Sequence, residues 1–230
     1  MKRILVFIGL AVLLASCSKT GKMFDQRNTG SPGAAQTGGG GTNTGGGGAS
    51  GAGSTGSADA TGGETAERPQ PTAAQLAAIE GGQEAKWDQQ GITWTVPKGW
   101  TKETAETTTF NWRSLGGGDF GFLIGNVSLL DDSFPTDISL KAMYDQTVGR
   151  KKNGQVEDVR WLELDGVKGV ALREAPPENK DEPRRIQWIA YRKYAGQTQM
   201  LIFTLSSTGR SFAKWEDALY GILYSTKLVH

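Results

Sequence analysis

The pattern of apolar and polar positions changes period several times along the chain, and each change marks a boundary. After Met1-Lys2-Arg3, Ile4 to Leu14 is an almost unbroken apolar run. It has the length of a secretory signal core, whereas a spanning helix needs about 20 apolar residues. Ser16, Ser18 and Lys19 end it. From 30 to 65 the pattern disappears into Gly, Ser, Thr and Ala, with the glycine runs Gly38–Gly41 and Gly45–Gly48. Such a stretch buries too little apolar surface to offset its ordering entropy, so a flexible linker is expected.

Beyond Glu67-Arg68-Pro69-Gln70-Pro71 the periodicity returns. Thr72 is placed to cap a short helix over Ala73–Ile79, and a turn is expected over Glu84–Gln89. Ile92, Trp94 and Val96 alternate as in a half-buried strand, and Pro97-Lys98-Gly99 turns the chain. Thr107–Trp112 and Phe120–Leu130 read as strands joined by a hairpin turn at Gly116-Gly117-Gly118. In the second, Phe122, Ile124, Val127 and Leu129 are expected to point inward, with a bulge at Gly125. Leu140, Met143, Tyr144 and Val148 recur at helical spacing, predicting a helix over Ser139–Lys152 capped by Asp137 or Ser139. Asp165-Gly166 is a two-residue hairpin signal between Val156–Leu164 and Val167–Ala175. A second hairpin, Arg185–Tyr194 with Thr198–Ser206, is expected around Ala195-Gly196-Gln197, and its strands are apolar on both faces. Phe212, Trp215, Leu219, Ile222 and Leu223 form the stripe of a last helix over Ser211–Tyr224, followed by a short extended segment.

Runs of antiparallel strands with helices set apart define an α+β class. The expected architecture is a twisted antiparallel β-sheet flanked by helices on both faces. Three segments bear a resemblance: Gly91-Ile92-Thr93-Trp94-Thr95-Val96-Pro97-Lys98-Gly99-Trp100, Leu162-Glu163-Leu164-Asp165-Gly166-Val167-Lys168-Gly169, and the closing helix before Ser225-Thr226-Lys227-Leu228. Together they resemble the PsbP/DcrB-type superfamily, from about Gln89 to the end. The resemblance implies an α/β/α sandwich and a non-enzymatic accessory or binding role. It brings no catalytic residue with it.

Leu14-Ala15-Ser16-Cys17 fits the bacterial lipobox at every position, and Cys17 is the single cysteine. Cleavage before Cys17 and lipid attachment to it are therefore expected. Each buried lipid methylene contributes about 0.8 kcal/mol, so several acyl chains on one residue anchor stably. The predicted organisation is a signal over 1–16, an anchor and linker over 17–72, and one globular domain over 73–230. A linker of about 55 residues has an r.m.s. span of about 40 Å. Ser18, rather than Asp, follows the cysteine, which favours the outer membrane where the organism has one.

Charge then narrows the classes. The chain has 25 basic and 24 acidic residues, and removing the signal takes two basic ones. A nucleic-acid partner would call for a strong basic excess, so none is expected. With one cysteine taken by lipid, no internal disulfide is available and stability rests on an apolar core.

The chemistry-bearing residues are few. The one histidine, His230, is terminal and lacks a held geometry. Without another histidine no Ser-His-Asp set forms, and no thiol nucleophile remains. Asp131-Asp132 and Glu157-Asp158 are the closest acidic pairs and read as surface charge, since a calcium site needs about six or more oxygen ligands. The glycine-rich stretch at 116–121 lacks the ending of a phosphate loop. Pro176 to Arg185 reads as a long, charged hairpin loop, and the seven tryptophans as core. No catalytic residue, cofactor or metal is expected. The expected function is a membrane-anchored envelope lipoprotein whose domain is a non-enzymatic interaction module with an envelope protein partner. The alternative is a carrier of a small apolar or lipid ligand held between sheet and helix. A hydrolase using carboxylates alone stands third.

Overall fold

The fold was read from a computed structural model, which describes residues 65–115 and 119–229. Cys17, Gly116–Gly118 and His230 lie outside them.

Two antiparallel sheets form. The smaller has the order β1 (Gln83–Trp87), β2 (Ile92–Val96) and β10 (Lys227–Leu228). The larger has seven strands: β3 (Trp100–Ala105), β4 (Thr109–Ser114), β5 (Gly121–Leu130), β9 (Gln197–Thr208), β8 (Pro183–Tyr194), β7 (Val167–Glu174) and β6 (Val156–Leu164), in that spatial order. Helix α1 (Ala73–Ile79) packs on α3 (Phe212–Tyr224), and α3 lies on β9 and the small sheet. Helix α2 (Thr136–Lys152) lies on the opposite face of the large sheet, over β6, β7 and part of β8. The class is α+β with helices on both faces, and the second sheet is an addition to the single sheet expected.

Local chemistry accounts for most elements. Thr72 caps α1 with a capping box: its Oγ1 accepts from the Gln75 amide at 3.2 Å, and Gln75 Oε1 accepts from the Thr72 amide at 3.0 Å. Asp165 and Gly166 both take positive φ (47° and 85°), the backbone of a tight two-residue hairpin turn. Ala195 and Gly196 do the same (50° and 77°), so Gln197 is the first residue of β9 and not part of the turn.

Other expectations are corrected. The turn expected over Glu84–Gln89 is mostly strand: Gln83–Trp87 pairs with β2, and a 3₁₀ turn is confined to Asp88–Gln90. The segment after Trp100 is an edge strand. Helix α2 starts at Thr136 behind Pro135, and neither Asp137 nor Ser139 caps it. In β5 Val127 is buried as expected, but the first half has the opposite phase: Leu123 and Gly125 are buried and Phe122 and Ile124 face the other side, and Leu129 is exposed. Gly125 stays in register with both neighbours and marks no bulge. A Cβ there would come within 2.9 Å of the Trp87 ring, so the glycine makes room for the small sheet.

The main core fills the space between the large sheet and the layer of α3 with the small sheet. It is a train of rings: Trp87 and Trp94 stack on Phe110 at 5.5 and 5.1 Å, Trp94 meets Phe203 edge-on at 5.1 Å, and Trp188 stacks on Phe203 at 5.1 Å. A smaller cluster of Leu140, Trp161 and Val170 sits under α2, where Tyr144 stacks on Trp161 at 4.5 Å.

Candidate functional site: a half-open sheet face

Side chains alternate across a strand, so the buried set of each strand defines what its other face presents. Leu201, Phe203 and Leu205 of β9, and Trp188 and Ala190 of β8, point into the main core. Met200 and Ile202 of β9, Ile189 of β8, and Phe122 and Ile124 of β5 therefore line the opposite face, and all five are partly exposed. The register puts Ile189 beside Ile202 and Ile202 beside Asn126, with Ile124 beside Thr204 and Thr204 beside Gln187. Gln187 Nε2 donates to Thr204 Oγ1 at 3.0 Å. Arg113 and Arg185 stand at one end of this surface, and Lys193, paired with Asp132 at 3.7 Å, at the other. Helix α2 covers the β6–β8 half of this face. Over β5 and β9 on this side the small residues Thr204 and Ser206 are buried among their neighbours, while the five large apolar side chains stay partly exposed. The surface is apolar and amide-rich at its centre, with charge kept to its ends.

The space between the large sheet and the layer of α3 with the small sheet is taken by the ring train; the other sheet–helix space, under the start of α2, is in part open. A cleft of about 340 Å³ lies there, where Leu140 at the start of α2 faces Lys168, Tyr191 and Lys193 of the sheet. Its volume is at the small end for ligand pockets.

Of the acids singled out in the sequence, Asp132, Glu157 and Asp158 are tied to cations. Asp132 accepts from Thr198 Oγ1 at 3.1 Å in addition to pairing with Lys193. Glu157 bridges Arg173 and Arg184, and Asp158 accepts from Arg160 Nη1 at 2.8 Å. Arg160 also donates to the Tyr224 hydroxyl at 2.7 Å, and Arg173 pairs with Glu216. Burial opposes both guanidinium charges, but the surrounding tyrosines and acids hold Arg160 and Arg173 above the usual arginine value. Burial also raises Tyr220 and Tyr224, partly offset by the same arginines. This band joins α3 to the β6–β7 edge, and its charges are matched within it. Among the described residues no group of three or more His, Cys, Asp or Glu side chains is arranged to hold a metal.

The loop expected over Pro176–Arg185 ends at Glu182, since Pro183–Arg185 pair in β8, and it is less free than a solvated hairpin loop. The Gly209 amide donates to Glu182 and the Arg210 amide to Lys180, at 2.9 and 2.8 Å, and Arg210 pairs with Asp181. One polar cluster had no signal in the sequence. Arg192 of β8 is buried; its Nε donates to Gln199 Oε1 at 3.1 Å and its Nη2 to the Gln90 carbonyl at 2.5 Å. Burial without a carboxylate partner pushes it down to about 10. Gln90 completes the knot by donating to the Thr107 carbonyl at 2.5 Å. The knot pins the small sheet to the end of the large one.

Comparison with known proteins adds an address. Residues 1–18 match the model of the prokaryotic membrane lipoprotein lipid attachment site. No curated protein matches the chain. Among solved structures, cyanobacterial PsbP (CyanoP) from Synechocystis sp. PCC 6803 is similar at 13% identity and a TM-score of 0.43, covering 64% of this chain and 92% of that one. LpqN, involved in cell envelope biogenesis of Mycobacterium tuberculosis, is similar at 15% identity and 0.46, covering 65% and 86%. The Ran-binding protein Mog1p of Saccharomyces cerevisiae is similar at 10% and 0.39, covering 64% and 95%. At these scores the likenesses assign no function. The attachment site makes the chain a lipid-anchored protein of the cell envelope.

Proposed function

We propose that the chain is acylated on Cys17, resides in the outer membrane where there is one, and works without enzymatic chemistry by docking a second envelope protein. The half-open sheet face is the observation that supports this. Its apolar centre and charged ends have the make-up of a protein interface. The glycine-rich linker after Cys17 lets the domain reach a partner held elsewhere in the envelope. The carrier reading is second: the space beside α3 is filled by Trp94, Phe110, Phe203 and Trp188, which leaves it the small cleft between α2 and the sheet.

A photo-crosslinking residue at Ile202 in the full lipidated chain tests the docking surface, with Thr93 on the outer side of the small sheet as control. A reproducible adduct from Ile202 and none from Thr93 is expected. Equal adducts from both, or none from either, would remove the sheet face as the interface. Cys17→Ser should move the chain from the membrane to the soluble fraction. Density fractionation of the wild-type chain checks which membrane holds it.

A further inference from the structure

Residues 65–82 lie between the anchor and the first strand, and two contacts hold them. The first is a single parallel bridge. The Glu67 amide donates to the Trp161 carbonyl at 3.0 Å, and the Glu163 amide donates to the Glu67 carbonyl at 2.8 Å. Ala66 rests against the Leu140–Trp161–Val170 cluster, and Arg68 pairs with Glu163 at 3.1 Å from a largely exposed position. Pro69 and Pro71 follow at once; neither has an amide hydrogen to donate, which ends the pairing after one residue.

The second contact is α1, one of the weakest elements of the fold. It has seven residues and none is buried. An isolated helix of that length does not persist in water, so α1 depends on its contact with α3. That contact is built around Gly221, where a Cβ would come within 2.6 Å of the Gln75 carbonyl and 3.0 Å of Ile79 Cγ2. Beyond Gly82 the character changes: β1 pairs with β2 along its whole length and buries Ala85 and Trp87 completely.

We propose that residues 65–82 are a detachable second stage of the tether. Tension between the anchor and a docked partner peels the Glu67 bridge and α1 before it reaches the sheets. Local opening of this kind follows the burial of each unit, and the difference here is steep. Release adds about 18 residues, or about 60 Å of contour, to the reach of the domain. Tethering and docking then survive a change in spacing that a linker of fixed length does not span. The proposal rests on the reading of Cys17 as the anchor, because only then is residue 65 the point that membrane tension loads.

Single-molecule force extension of the mature, non-lipidated chain tests it, with one handle on the Cys17 thiol and the other after His230. The expected trace has a reversible low-force step with a contour gain of about 60 Å or less, then cooperative unfolding of the sheets. Glu67→Pro removes the amide bonded to Trp161. Gly221→Ala introduces the blocked Cβ while placing a better helix former in α3. Each should lower or abolish the first step and leave the force of the main event unchanged. Hydrogen exchange on the same chain should show the Glu67 and Leu76 amides exchanging at least about 100-fold faster than those of β8 and β9. A single unfolding event that includes residues 65–82, with Glu67 and Leu76 protected as well as β9, would overturn the proposal. Because this chain carries no lipid, that failure is separate from a failure of Cys17→Ser to release the chain from membranes.

Discussion

The two faces of the seven-stranded sheet are made from the same strands and have opposite characters. On one face, large rings and aliphatics are closed off by the small sheet and α3, and Phe110, Trp188 and Phe203 are fully buried. On the other, α2 covers only the β6–β8 half, and Phe122, Ile124, Ile189, Met200 and Ile202 remain partly exposed. The difference teaches that openness is decided by the covering layer and not by the strand. Residues of β9 one position apart, Ile202 and Phe203, have different fates only because of what lies above each.

The largest effect expected breaks the closed face. Trp188 stacks on Phe203 and donates from its indole to the Leu162 carbonyl at 3.0 Å. Trp188→Ala removes the ring, opens a cavity and leaves that carbonyl without its partner. A loss of about 3–5 kcal/mol is expected in denaturant unfolding. Next is the buried knot at the end of the same face. Arg192→Met leaves the Gln90 carbonyl and Gln199 Oε1 without their donors, each worth about 1–3 kcal/mol. Relief of a buried charge offsets part of this. A net loss of about 2 kcal/mol in the same measurement is expected, with Arg192→Lys intermediate because it keeps the charge and loses the fork.

The open face answers differently. Ile202→Asp places a charge between Asn126 and Ile189 where water already reaches. Its cost to stability should be about 1 kcal/mol, within the span of strand preferences. Its effect on partner capture should be near complete, since a charge enters the apolar centre. A variant that unfolds like Trp188→Ala would erase the distinction between the faces.

How far the sequence anticipates this contrast depends on what each signal measures. The Asp165-Gly166 turn, the α1 cap and the α3 stripe are local, and each appears where its residues place it. Strand β1 was not legible because Glu84 and Lys86 are polar and its strand character comes from pairing with β2. In β5 the larger side chains, Phe122 and Ile124, suggested the inward phase. The inward positions are instead Gly121, Leu123 and Gly125, because Trp87 from the small sheet needs the space over Gly125. The same inversion hid the candidate site, since Phe122 and Ile124 belong to the open face. Whether that face is open depends on where α2 lands, which no periodicity within α2 or β5 records.

The smallest effect expected lies at the start of α3, which joins the closed face to the loop end of the sheet. Ser211 occupies the cap position of α3 but makes no capping bond to the helix. Its hydroxyl donates to Asp119 instead, and Lys214 lies 3.3 Å from the same carboxylate. The carboxylate thus sits by the N-terminus of α3, where the helix dipole favours an anion. The Ser211 hydrogen bond first, then Lys214, holds the Asp119 carboxyl below its ordinary value of 3.8. A lowered carboxyl value means the folded chain binds that proton less readily than the unfolded chain. The stabilisation is therefore complete above the unfolded value and is lost as pH falls through the lower folded one. Asp119→Asn keeps an acceptor for Ser211 and removes the charge. Denaturant midpoints should place the variant slightly below the wild type at neutral pH. The gap should narrow below about pH 3.8 and close in strong acid. A gap that persists in strong acid would mean that shape and hydrogen bonding at this corner matter, and the charge does not.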